Sequence, residues 1–96
     1  ANGLIKLGII TNAKEVSKYY PHSCSHFLGL DVHDKGNYMS ALKENMIFTV
    51  EPGIYIPEEG LGIRLEDDLV VQSTGGPFNL MKDIPLEAAE IEDLMN

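Results

Sequence analysis

A chain of 96 residues is enough for one small domain with a single modest core. Apolar residues make up 44% and charged residues 23%, an ordinary balance for a globular protein in water. A net charge of −8, with only 7 Lys and Arg, argues against nucleic-acid phosphates or an anionic membrane surface as partner. No run of about 18 apolar residues occurs, so no membrane-spanning helix is expected. No basic segment leading into an apolar stretch marks a signal peptide. The lone Cys24 excludes a disulfide framework and fits a reducing compartment, which makes the cytoplasm the expected location. The chain opens at Ala1, without Met, inside an apolar stretch, as a processed chain or a piece of a longer one would.

The first stretch, GLIKLGII (3–10), fits the end of a helix or a short strand equally well. Asn12, with Glu15 three residues on, signals a capped helix from about 13 to 19, ended by Pro21. HFLGLDVHD (26–34) reads as a strand broken by Gly29, and KGNYMSALKEN (35–45) as polar and turn-rich. NMIFTVEPGIYI (45–56) reads as a strand interrupted at Pro52-Gly53. Its Met46, Ile47, Phe48 and Val50 should run into the core. PEEGLG (57–62) is a turn, IRLEDDLVVQS (63–73) a strand and TGGP (74–77) another turn. PLEAAEIEDLMN (85–96) is a closing helix with Pro85 at or near its first position. Ala88, Ile91 and Met95 share one face of it, with Leu94 beside them. Glu87, Glu90, Glu92 and Asp93 make an acidic face, as on a solvated surface helix. The order of elements predicts an α+β fold with an antiparallel sheet.

All three histidines, His22, His26 and His33, fall within twelve residues. A single histidine is more often a surface or satisfied core residue than a ligand; three so close raise the case for a site. On an extended chain His22 and His26 face one side and His33 the other, unless Gly29 shifts the register. Their spacing matches neither a zinc finger nor an HExxH helix. Glu51 ends the apolar strand, and Pro52-Gly53 fixes the backbone directly after it. It is either a surface residue at a strand end or a carboxylate delivered to a fixed point. In IRLEDD, period 2 puts Ile63, Leu65 and Asp67 on one face, and Arg64, Glu66 and Asp68 on the other. An edge strand with a polar outer face would look the same. But Leu69-Val70-Val71 carry this strand into apolar surroundings, where unpaired charge is costly. A cation answers that need. One imidazole and two carboxylates form a hard N/O donor set, suited to Mn²⁺, Zn²⁺, Co²⁺ or Fe²⁺. The residues by themselves lead as far as a His/Glu/Glu metal site on three strands.

Taken together and in order, HSCSHFLGLDVHD (22–34), MIFTVEPGIYIP (46–57) and GIRLEDDLVV (62–71) resemble the C-terminal part of the creatinase/aminopeptidase P/prolidase family of metallopeptidases. The resemblance spans nearly the whole chain. It is nearer to Xaa-Pro aminopeptidase or Xaa-Pro dipeptidase than to methionine aminopeptidase. It implies half of a pita-bread fold, a curved antiparallel sheet with flanking helices. Residues 1–96 would be a C-terminal fragment of the catalytic domain. It also implies a two-metal centre with five protein ligands: two Asp, one His and two Glu. Mn²⁺ is the expected metal, with Zn²⁺ or Co²⁺ as alternatives. His26 matches the His ligand, Glu51 the first Glu, and Glu66 the second, which bridges both ions. Glu51 would also take a proton from the bridging water. His22 and His33 match two histidines that line the substrate site; they would contact the peptide and steady charge on the tetrahedral intermediate. Arg64 matches an arginine of the same site. The implied activity is hydrolysis of the bond between an N-terminal residue and a following proline. A prolidase or a non-catalytic pita-bread binding module are the alternatives, and a homo-oligomer is expected.

The chain departs from the family pattern in two places. Ser23 and Cys24 stand where glycine commonly follows the first histidine of the motif; Cys24 is read as a small filler, not a ligand. The family's two Asp ligands precede the histidine motif, but only 25 residues precede His26 here, and Asp31 and Asp34, which follow it, match no ligand. Three of five ligands are therefore expected, and the fragment alone should bind one ion weakly or none.

Overall fold

The structure is a computed structural model describing residues 1–96. The first apolar stretch is helical: α1 spans Asn2–Lys6, and Gly8, at φ 72°, stops it in the left-handed region. Leu4 and Ile10 from this stretch are buried. The cap expected at Asn12 is present. Its Oδ1 accepts the Lys14 N–H at 3.0 Å, and the Glu15 carboxylate accepts the N–H groups of Thr11 and Asn12 at 2.7 and 3.1 Å. A 3₁₀ turn over Ala13–Glu15 leads into α2, Val16–Tyr19, which ends just before Pro21.

β1 (Ile47–Val50), β2 (Gly53–Ile56), β3 (Leu61–Arg64) and β4 (Asp67–Val70) make one long hairpin, interrupted on both arms. β2 pairs with β3 from Ile56↔Leu61 to Gly53↔Arg64, and β1 pairs with β4 from Val50↔Asp67 to Ile47↔Val70. Between the two ladders lie Glu51-Pro52 on one arm and Leu65-Glu66 on the other. Pro52 has no N–H to give, and the arms stay tied there by the Leu65 N–H on the Pro52 carbonyl at 3.2 Å. The single strand expected over 63–73 is therefore two strands with a break opposite the one at Glu51-Pro52. A 3₁₀ turn, Pro57–Glu59, with Gly60 at φ 61°, closes the tip. β5 (Phe78–Asn79) adds to β4, so the strands form a β1-β4-β5 sheet and a β2-β3 sheet.

The histidine stretch is not a strand throughout. Residues 24–28 run antiparallel along the free edge of β1. Glu51 donates its N–H to Cys24 at 2.8 Å, Thr49 to His26 at 2.9 Å, and Leu28 to Ile47 at 3.2 Å. Beyond Leu28 the chain leaves the sheet in a loop. The burial of β1 also differs from the expected one: Thr49 and Glu51 are buried, Met46, Ile47 and Phe48 are half-buried, and Val50 is exposed. α3 (Ala88–Met95) begins three residues after Pro85, and its Ile91, Leu94 and Met95 are exposed rather than packed. The α+β architecture expected from the sequence is the one observed. α1, α2 and the β2-β3 sheet frame an open apolar cleft of about 490 Å³, lined among others by Leu7, Val16, Ile54, Ile63 and Leu65.

Candidate metal centre and substrate cleft

Residues 24–28, β1 and β4 lie side by side, and the three candidate ligands sit at nearly one level on them. Glu51 follows β1 directly. Glu66 directly precedes β4 and would be the next partner of Glu51 if the ladder continued. His26 lies opposite Thr49, two residues from Glu51. The ligand atoms of His26, Glu51 and Glu66 consequently lie within 4.8 Å of one another. Residues opposed across an antiparallel ribbon share a face, and the register runs unchanged through the break, so both carboxylates point to the same side.

The ring of His26 is fixed. Its Nδ1 lies 2.9 Å from the Phe27 carbonyl, which can only accept, so Nδ1 carries a proton and Nε2 is left to face the cleft. Nε2 lies 3.2 Å from Glu51 Oε1. At that distance the two atoms need positive charge between or beside them, supplied by a proton on Nε2 or by a bound cation. Glu51 is buried, which sharpens the need. Thr49, 1% exposed, sits beneath: its hydroxyl accepts the His26 N–H at 3.1 Å and reaches Glu51 Oε1 at 3.5 Å. A divalent cation fits this donor set, with the second nitrogen of the histidine anchored as metal-binding histidines require.

Arg64, at the end of β3, reaches both carboxylates, at 3.5 Å from Glu51 and 3.1 Å from Glu66. His22, His26, His33, Glu51 and Arg64 line one cleft of about 500 Å³, with Tyr38 on its rim. His33 is not on the opposite side from His26, as an extended chain would have it. The loop after Leu28 folds back and brings the two rings to 4.3 Å. His22 has both ring nitrogens engaged: Nδ1 donates to the Ser23 carbonyl at 2.7 Å, and Nε2 accepts from the Tyr55 hydroxyl at 2.8 Å.

Tyr55 and Thr49 were not singled out by the sequence, although signals exist for both. The Tyr55 ring lies over two glycines. A Cβ at Gly53 would meet its hydroxyl at 3.0 Å, and one at Gly62, the cross-strand partner of Tyr55, would meet its Cδ1 at 2.7 Å. Two glycines flanking a tyrosine in a hairpin mark a ring laid flat on the sheet. Thr49 alternates with Glu51 in an apolar strand, which puts the hydroxyl on the carboxylate's face. The Tyr20 phenol, 5.2 Å from His22 by ring centroid, is pushed up in pKa by burial, with Cys24 and Glu51 adding to the effect.

The model of metallopeptidase family M24 matches residues 3–73. The chain is 43% identical to Xaa-Pro aminopeptidase 3 of Rattus norvegicus, over 92% of this chain and 20% of that protein. It is 39% identical to the Xaa-Pro aminopeptidase of Haemophilus influenzae, over 98% of this chain and 26% of that protein. A Bacillus anthracis structure described as an aminopeptidase P superposes with a TM-score of 0.84 at 52% identity, covering 98% of this chain and 22% of its own. The chain thus spans a fifth to a quarter of the length of these relatives. On the family match and on relatives that share its sequence and its fold, the chain belongs to metallopeptidase family M24.

Proposed function

We propose that residues 1–96 are the C-terminal segment of the catalytic domain of a dinuclear aminopeptidase that hydrolyses the bond between an N-terminal residue and a following proline. The observation that carries this reading is the convergence of His26, Glu51 and Glu66, with His26 Nε2 turned onto a buried carboxylate. In this reading the three are metal ligands, and two further Asp ligands come from chain preceding Ala1. Mn²⁺ is the proposed metal, Zn²⁺ or Co²⁺ the alternatives, and the cytoplasm the proposed compartment.

A bound pair of divalent ions would supply a water acidified enough to ionise near neutral pH and positive charge for the developing oxyanion. Glu51, the buried one of the two carboxylates, takes up the proton. Thr49 keeps Glu51 and the His26 backbone in register. His33 and His22, the latter held by the Tyr55 hydroxyl, face the peptide from the cleft wall. Proline in second position offers a tertiary amide with no N–H, so this wall has to receive a ring rather than accept a hydrogen bond at that point.

The experiment is to purify the full-length protein carrying this segment, measure its metal content, and assay Xaa-Pro and Xaa-Ala tripeptides beside an Xaa-Pro dipeptide. Cleavage confined to proline peptides, with Glu51→Gln lowering kcat by at least about a hundredfold, is expected. Cleavage of the dipeptide alone would point to a prolidase. Metal-free protein with no turnover would overturn the reading.

A further inference from the structure

The loop at 29–36 carries His33 into the cleft, yet little apolar packing holds it: Leu30 and Val32 are exposed. Polar fastening has to hold it instead, and the fastening converges on one side chain. We infer that Asp34 is a positioning residue that sets His33 against His26. This rests on the peptidase reading above. Asp34 Oδ2 accepts the Leu30 N–H at 3.1 Å, and Oδ1 accepts the Lys35 N–H at 2.8 Å, so one carboxylate ties both ends of the loop. Its own N–H donates to the Phe27 carbonyl at 3.0 Å. That same carbonyl accepts His26 Nδ1 at 2.9 Å. Loop closure and the orientation of His26 therefore share one acceptor, which has two lone pairs to give.

Two glycines make room for this arrangement. A Cβ at Gly29 would fall on Asp34 Oδ2, and a Cβ at Gly36 would fall on the Phe27 ring. The first keeps space for the carboxylate, and the second lets the returning chain close over Phe27. The result is the 4.3 Å approach of the His33 and His26 rings. A carboxylate suits the task because it offers acceptors in two directions and no donor. An asparagine would turn an NH₂ toward one of the two N–H groups. Asp34 lines no part of the cleft and acts through His33.

The test uses the full-length peptidase and a double-mutant cycle. Asp34→Ala is expected to lower kcat/KM on an Xaa-Pro tripeptide by about ten- to a hundredfold, to the level of His33→Ala. The double variant should be no worse than His33→Ala alone, and bound metal should be unchanged. The nuclear Overhauser contact between the His26 and His33 rings should vanish in Asp34→Ala. Gly29→Ala, which displaces the carboxylate without removing it, should reproduce both effects and stands in if Asp34→Ala fails to fold. Losses that multiply in the double variant, or a ring–ring contact that survives both substitutions, would overturn the inference. A wild-type protein without turnover would sink the peptidase reading, while the ring–ring contact still decides the role of Asp34.

Discussion

Arg64 stands against both carboxylates of the hairpin break, a cation already at the place where others are proposed to bind. Its side chain is half exposed, so its pull on them is screened and cannot replace buried ions. Arg64→Ala in the full-length protein should lower kcat/KM about tenfold or more while leaving bound metal unchanged, as measured by elemental analysis of the purified variant. Loss of metal would instead mark Arg64 as the support of Glu66. At this scale the sequence was informative where chemistry is carried by type and order. Glu51 before Pro52-Gly53, and Glu66 beside Arg64, stood out because charged residues in apolar strands need a partner. The resemblance put His33 in the site, but strand periodicity put it on the opposite face from His26. The place of His33 depends on a loop closed through main-chain N–H groups and a neighbouring carboxylate, which strand periodicity cannot express.

Among the elements, α2 shows how a short helix is held by its start. Glu15 is held below the usual carboxylate range, first by the N–H groups of Thr11 and Asn12. A carboxylate lowered in the folded state contributes stability that is complete above its unfolded value and lost as pH falls through the lower, folded one. Glu15→Gln should therefore lower the thermal midpoint at pH 7, and the difference from wild type should shrink as pH falls below the ordinary carboxylate range and through the lower, folded value. A gap that persists in acid would show that the cap works without the charge. This cap was legible because capping is local: four residues carry the whole signal. The break between β3 and β4 was not, because Leu65 and Glu66 alternate as any strand does. It is imposed from the other arm, where Pro52 cannot donate. Gly53 gave half the hint, but pairing is needed to say which residues stand opposite.

For the whole molecule, the balance of surface is the telling quantity. The chain exposes 7516 Å², where a self-contained protein of this mass exposes roughly 5,500 Å². Its radius of gyration is 16.2 Å, against about 12–13 Å for a compact domain of this length. Leu7, Ile63 and Leu65 at the apolar cleft are exposed. The isolated 96-residue chain should therefore self-associate and show no turnover on Xaa-Pro peptides with Mn²⁺ added, as judged by light scattering and product assay. Turnover of about 1 s⁻¹ or more would require ligands from elsewhere in this chain. The α+β class was legible from the order of elements. That half of a pita-bread fold would leave apolar surface uncovered follows from the resemblance, but which faces does not, since an apolar strand reads the same whether or not a layer lies over it. The doubly broken hairpin has a mechanical consequence as well. Both carboxylates hang from one ribbon, so their separation is gauged by the roughly 4.8 Å between paired strands, not by any loop. The tip lies a full four-residue ladder beyond the break, too far to transmit a change of length. A Gly-Ser insertion between Glu59 and Gly60 should leave metal content untouched. One extra residue between Val50 and Glu51 would turn that carboxylate to the other face of the ribbon and empty the centre.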